Sequence, residues 1–126
     1  MIGTGSPACL KLEVFGDWIW KAFGTPAYLV GSAAVSKTWR DIDIRLILDD
    51  AEYAQWFKDE SGSRDPLWTL ICGGISELGK AMTGLPIDFQ IQSQTHANTH
   101  YGKQPRHALG VLHTYQEAAQ GQDGGK

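Results

Sequence analysis

The sequence predicts an α+β fold in which a small mixed β-sheet packs helices on one face. Residues 41–48 and 86–92 alternate apolar and polar side chains, as strands with one buried face do. Residues 7–23 and 66–83 instead repeat apolar side chains every three or four positions, which is typical of amphipathic helices. At 126 residues the chain has the length of one domain. We expect it to be ordered over about 7–115, with flexible ends.

The composition is that of an ordinary globular protein, with 42% hydrophobic and 20% charged residues. The net charge of −3 predicts no broad basic surface for nucleic acid. Cys9 and Cys72 have neither metal-binding nor redox-motif spacing, which favours a reducing, cytoplasmic location. No segment has the length and apolarity of a membrane span, and the N-terminus lacks the pattern of a signal peptide. We therefore expect no membrane partner.

The first helix begins at Ser6-Pro7, a capping residue followed by a first-turn proline, and ends at Gly24. Its apolar side chains are Leu12, Phe15, Ile19, Ala22 and Phe23. A first strand is predicted over residues 28–32, and residues 33–38 are expected to form a short helical turn. The order of these elements predicts a helix packed against the start of the sheet.

After the second strand, residues 51–58 predict a brief helix. Asp65-Pro66 then caps the most strongly periodic helix of the chain. Its apolar stripe consists of Leu67, Leu70, Ile71, Gly74, Ile75, Leu78 and Met82. The adjacent glycines Gly73 and Gly74 each cost about 1 kcal/mol relative to alanine inside a helix. We expect a close approach to the sheet to compensate for this cost.

Residues 95–107 are rich in Asn, Gln, Gly and His, and predict a polar loop over the open face of the sheet. In such a loop Lys103 or Arg106 could neutralise phosphate charge or select an acceptor. His96 and His100 have a zinc-compatible spacing only if this segment is helical. A mobile loop without any of these roles is the alternative.

Three carboxylates are expected to converge on the face of the sheet opposite the helices. Asp41 and Asp43 alternate with isoleucines in the second strand, and Asp88 does so in the third. Carboxylates at close range repel unless a cation binds among them or their pKa values rise. Oxygen ligands of this kind suit Mg²⁺ or Mn²⁺, and two such ions would orient an attacking hydroxyl and neutralise pyrophosphate. Arg45 shares this face, and we expect it to pair with an acid.

The Gly-Ser pair before these acids fits the same chemistry. Gly31 lets the backbone approach a phosphate, and Ser32 adds a hydroxyl donor. Lys37 and Arg40 are close enough in sequence to help bind a triphosphate, although ordinary solvated charge explains them equally well. Together these residues predict a nucleotide-binding turn beside the acids.

The order of Gly31-Ser32, Asp41-Ile-Asp43 and Asp88 within apolar strands resembles the nucleotidyltransferases of the DNA polymerase beta superfamily. The resemblance is to the minimal members without an added helical domain, and it covers residues 28–92. It implies that Asp41 and Asp43 hold the metals and that Asp88 binds one of them or acts as a base. It also implies that the Gly-Ser turn binds the triphosphate.

The function implied by the resemblance is transfer of an NMP group from an NTP, such as ATP, to an unknown acceptor. The acceptor could be a small molecule, a protein or RNA, and the cofactor would be two Mg²⁺ or Mn²⁺ ions. Because a minimal chain lacks a second substrate domain, a homodimer or a separate helical partner is expected. The alternatives are an inactive nucleotide-sensing or partner-binding module, a metal-dependent nuclease, and acids that only keep an edge strand soluble.

Overall fold

The computed structural model describes residues 6–30, 42–58, 64–101 and 106–110. This part of the chain contains four helices and four strands. Their order is α1 Ser6–Phe23, β1 Ala27–Val30, β2 Ile42–Leu48, α2 Asp50–Trp56, α3 Pro66–Thr83, β3 Ile87–Ser93, α4 Gln94–Tyr101 and β4 Arg106–Ala108. None of these four helices combines the length and the apolarity that crossing a bilayer requires.

The four strands form one open, mixed sheet with the order β3-β2-β1-β4. β2 and β3 run parallel, whereas β1 pairs antiparallel with both β2 and β4. α2 and α3 connect the parallel pair, as a parallel pairing requires a long crossover. The predicted α+β class with a mixed sheet is therefore confirmed.

The hydrophobic core lies between one face of the sheet and helices α1, α2 and α3. The alternation predicted for β2 and β3 is present, because their apolar side chains are buried on one face. The strands contribute Ala27, Leu29, Ile42, Ile44, Leu46, Leu48, Ile87, Phe89 and Ile91, and the helices contribute Leu12, Phe15, Ile19, Tyr53 and Cys72. The rings of Phe15 and Phe89 meet edge to face, with centroids 6.5 Å apart, which fixes α1 over the third strand.

The glycines of α3 differ from the prediction. A Cβ atom added at Gly73 or Gly74 would meet nothing within 4 Å, so neither residue approaches the sheet. Gly79 makes the close approach instead: its added Cβ would lie 3.0 Å from Phe15 Cζ and 3.1 Å from Ile87 Cγ2. The apolar periodicity located α3 correctly. The stripe of apolar residues is so wide that it did not show which side of the helix faces the sheet.

The outer edge of β3 is covered by polar side chains of α3. The Ser76 hydroxyl accepts the Phe89 N–H at 2.9 Å and donates to the Phe89 carbonyl at 3.3 Å. The Trp68 indole N–H donates to the Ile91 carbonyl at 2.8 Å, and the Ile91 N–H lies 3.4 Å from Cys72 Sγ. Burial raises the pKa of the Cys72 thiol to about 11. These contacts protect an edge strand that would otherwise be open to pairing.

The predicted polar loop at residues 95–107 is wrong, because α4 and β4 occupy much of it. The Ser93 hydroxyl accepts the His96 N–H at 3.1 Å and so caps α4 directly after β3. α4 contacts β2 and β3 and is bound by Arg106 from β4, on the side of the sheet that carries the acids. The expectation that all helices pack on one face is therefore corrected. Ala97 is the only side chain of α4, among those described, that is buried, which is why no apolar periodicity revealed the helix.

Candidate functional site

The parallel register of β2 and β3 places Asp43 beside Asp88. The two residues are direct partners across the strands, so their side chains project from the same face of the sheet. Both carboxylates remain accessible, with 29% of the Asp43 side chain and 44% of the Asp88 side chain exposed. Of the three predicted acids, the structure brings these two together, and Asp41 lies outside the described residues.

A buried guanidinium lies against this acid pair. Arg45 is only 3% exposed, and its Nη1 donates to the Asp88 carbonyl at 2.7 Å and to the Ile44 carbonyl at 3.1 Å. Its Nη2 lies 3.2 Å from Asp88 Oδ2 and 3.7 Å from Asp43 Oδ1. The expected ion pair is confirmed, and it fixes Asp88 through both its backbone and its side chain.

The donor set fits a hard cation. Two partly exposed carboxylates supply the oxygen ligands that Mg²⁺ and Mn²⁺ prefer. The two carboxylates and the Arg45 guanidinium carry formal charges of −2 and +1, so the cluster keeps a net charge of −1. No group of three or more potential metal ligands occurs in the described ranges, which exclude Asp41. The described pair would thus form only part of a complete coordination shell.

The predicted phosphate-binding residues Gly31, Ser32, Lys37 and Arg40 all lie outside the described residues. Their attachment point is nevertheless defined. β1 ends at Val30, the residue before Gly31, and Val30 pairs directly with Asp43. Val30, the last described residue before the Gly-Ser segment, therefore lies next to the acid pair.

Arg106, predicted to bind substrate, contacts α4. One of its terminal nitrogens lies 3.3 Å from the Ala97 carbonyl and 3.3 Å from Asn98 Oδ1. In the sheet Arg106 pairs with Val30, which in turn pairs with Asp43. Arg106 thus lies in line with Val30, Asp43 and Asp88 across the sheet, and its side chain connects β4 to α4.

Sequence reasoning missed the role of α4 in shaping this face. The Asp50 carboxylate accepts the Thr95 hydroxyl at 2.5 Å and the Thr95 N–H at 3.0 Å. These hydrogen bonds, the hydroxyl one first, lower the pKa of Asp50 below its usual 3.8. Beneath the helix, Gln92 is only 4% exposed and lies 3.5 Å from the Gln90 amide oxygen. Ser93, a capping residue at the end of the third strand, is the one sequence signal for this helix.

Comparison with protein-family models, with curated protein sequences and with solved structures found no match for this chain. The chemistry of the site must therefore be inferred from its geometry. A parallel strand pair presents two carboxylates to solvent, and a buried guanidinium contacts both of them. Such an arrangement can bind a hard cation and, through it, phosphate oxygens.

Proposed function

We propose that this chain is a metal-dependent nucleotidyltransferase that moves an NMP group from an NTP to an acceptor with release of pyrophosphate. The observation that carries the proposal is the register that sets Asp43 beside Asp88 on an accessible face. The position of Val30, one residue before Gly31 and directly beside Asp43, adds support. The acceptor would be a small molecule, a protein or RNA, and a cytoplasmic location is part of the same proposal.

In this proposal Asp43 and Asp88, with Asp41, hold one or two Mg²⁺ or Mn²⁺ ions. The metal would supply charge neutralisation at the phosphates. Arg45 keeps the Asp88 carboxylate in place, so that Asp88 can bind a metal or accept the proton of the acceptor hydroxyl. Gly31 and Ser32 bind the triphosphate. Catalysis then depends on alignment and charge compensation, with little covalent work for the protein.

A second candidate is an inactive nucleotide-sensing or partner-binding module of the same fold. The Arg45 guanidinium favours it, because this buried cation already compensates part of the acid charge without a metal. A sensing module would bind nucleotide but would not need Asp88 for any chemical step. The two candidates therefore differ in what the loss of Asp88 does to transfer and to binding.

The test is thermal unfolding with each NTP plus Mg²⁺ or Mn²⁺, comparing wild type with Asp43→Asn. A ligand at about a hundred times its Kd should add roughly 2.7 kcal/mol to the free energy of unfolding. Each variant needs its own ligand-free baseline, because removing a repelling charge alone changes stability. Glu77→Gln is the matched control, since it removes an exposed carboxylate on α3 that pairs only with Lys80 in the described part of the chain.

A metal-dependent stabilisation in wild type and Glu77→Gln that disappears in Asp43→Asn supports a nucleotide–metal site. No stabilisation by any NTP would overturn the transferase and the nucleotide-sensing module, and would favour an inactive partner-binding module. Pyrophosphate release then distinguishes the transferase from the sensing module once an acceptor is supplied. Loss of release with retained NTP binding in Asp88→Asn supports the transferase, whereas NTP binding with no release in wild type supports the sensing module.

A further inference from the structure

The outer surface of the helical layer carries several large apolar side chains that are exposed to solvent. The large apolar side chains that remain exposed in the described ranges are Leu10, Trp18, Trp56, Leu67, Leu70 and Leu78. All six belong to α1, α2 and α3, and none lies on the acid face. Leu70 is 73% exposed, the highest value of the set. A concentration of this kind on one layer marks an interaction surface.

Four exposed apolar residues of α3 lie in symmetric positions about Gly74. Leu70 precedes Gly74 by four residues and Leu78 follows it by four. Leu67 precedes it by seven, and the exposed Ala81 follows it by seven. Steps of four and seven residues return to nearly the same side of a helix. A two-fold axis through Gly74 would therefore superpose this surface on itself.

Gly74, like Gly73, makes no close approach to the described part of the monomer. It is exposed, and an added Cβ would meet nothing within 4 Å. Its presence in a helix interior nevertheless costs about 1 kcal/mol relative to alanine. A small residue at the point where two helices cross lets their backbones approach closely. A partner helix crossing α3 at Gly74 would explain why this position lacks a side chain.

Two apolar grooves extend the surface on either side of Phe23. The groove between α1 and α3 has a volume of about 210 Å³ and is lined by residues that include Trp18, Ile75 and Leu78. The groove beside α2 has a volume of about 190 Å³ and is lined by residues that include Trp56 and Ile71. Because Phe23 lines both, the apolar surface is continuous from α1 to α2.

We propose that this chain forms a homodimer in which α3 packs antiparallel on α3 of a second copy, with the two-fold axis at Gly74. Leu70 of each copy then meets Leu78 of the other, and Leu67 meets Ala81, as an isologous interface requires. The two half-exposed tryptophans leave on the order of 200 Å² of aromatic surface. The exposed leucines and the two grooves add to this apolar area, and a standard interface buries roughly 800 Å² per partner.

The dimer would leave the acid face open, because α3 and that face lie on opposite sides of the sheet. The proposal is therefore independent of the proposed function. NTP-dependent stabilisation tests one, and the oligomeric state tests the other, so that a failure of either is recognised separately.

Sedimentation velocity across the micromolar range tests the dimer directly. We expect wild type to be dimeric, and Leu70→Glu to raise the dimer dissociation constant by about 100-fold or more, because it buries two carboxylates. Gly74→Leu should separate the helices and give monomers. Gly73→Leu is the matched control: its helix propensity changes equally, but it is turned about 100° around the helix and should stay dimeric. Circular dichroism checks that each variant is folded.

A disulfide tests the position of the axis. In a Cys9→Ser background, Gly74→Cys should form a covalent dimer on mild oxidation, because the axis places the two sulfurs side by side. Gly73→Cys should not. A wild-type protein that is monomeric throughout would overturn the proposal and leave the surface to a different partner. A dimer that is indifferent to Leu70→Glu and Gly74→Leu, or equal crosslinking at both positions, would also overturn it.

Discussion

The helices on either side of β3 differ in what holds them in place. α3 is capped at its N-terminus by Asp65, which accepts the Leu67 N–H at 2.9 Å, and at its C-terminus by Gly84 with a φ of 73°. Between these caps it packs apolar side chains into the core. α4 is capped by the Ser93 hydroxyl and held by polar contacts to Asp50 and Arg106. α3 is held mainly by apolar burial and α4 mainly by hydrogen bonds. The strand between them, β3, shows the same contrast between its two faces.

One face of β3 contributes mainly to the free energy of unfolding, and the other carries the candidate site. Phe89 and Ile91 point into the core, where burial contributes about 1.5–3 kcal/mol per large side chain. Asp88 and Gln90 point to the opposite face, where charge pairing with Arg45 and contact with α4 matter more. Substitutions on the first face should therefore change the free energy of unfolding most, and those on the second should mainly change ion binding and local order.

The largest effect is expected for Phe89→Ala. Phe89 is 1% exposed and packs edge to face on Phe15, so its truncation leaves a cavity between α1 and the sheet. We expect the free energy of unfolding to fall by about 3–5 kcal/mol, measured by urea denaturation. Leu70→Ala, at an exposed position of α3, is the control and should cost far less under conditions where the chain is monomeric. Similar costs for both would contradict the assignment of Phe89 to the core.

The next effect is expected for Arg45→Met, which keeps much of the buried volume but removes the cation. Hydrogen bonds to charged groups contribute about 1.5–3 kcal/mol, and we expect a loss near the lower end because 44% of the Asp88 side chain is exposed. The acids would then lack their internal cation, so Mg²⁺ alone should stabilise this variant more than wild type. Urea denaturation with and without Mg²⁺ measures both quantities.

A double-mutant cycle isolates the ion pair. Adding Asp88→Asn to Arg45→Met should cost less than the sum of the single changes, with a coupling of about 0.5–3 kcal/mol. Strictly additive costs would mean that Arg45 acts through its backbone contacts to Asp88 and Ile44 and not through the Asp88 carboxylate.

Much of the core and part of the site could be predicted because alternation assigns each strand residue to a face. That rule correctly placed Asp43 and Asp88 opposite the isoleucines. It could not give the strand order or the parallel register, which depend on how the crossover helices pack. It also could not predict α4, whose side chains lack apolar periodicity. In α3 the sequence did not show which side of the helix faces the core. Leu70 continues the apolar stripe although it is exposed.

A smaller and local effect is expected for Arg106→Gln. Its guanidinium holds the Ala97 carbonyl and the Asn98 side chain, and the loss of such contacts costs about 1 kcal/mol. Because α4 has little apolar packing, the cost should appear as local opening: amides of residues 94–101 should exchange about fivefold faster. Hydrogen exchange measures this, with the amides of α3 as the internal control. Equal acceleration in α3 would mean that α4 is part of the global core.

The smallest effect concerns Asp50, and it appears as a change in the pH dependence of stability in acid. The hydrogen bonds from Thr95 lower the pKa of Asp50 in the folded state. A depressed folded-state pKa contributes stability above the unfolded-state pKa, near 3.8, and this contribution is lost as pH falls through the lower folded value. Asp50→Asn should therefore reduce the acid dependence of stability below about pH 4, as followed by urea denaturation at successive pH values. Thr95→Val should reduce it in the same direction, whereas an unchanged acid limb in both variants would show that α4 does not depend on this contact. Some acid dependence should remain in each variant, because the Lys58 N–H also lowers the pKa of Asp65 at the start of α3.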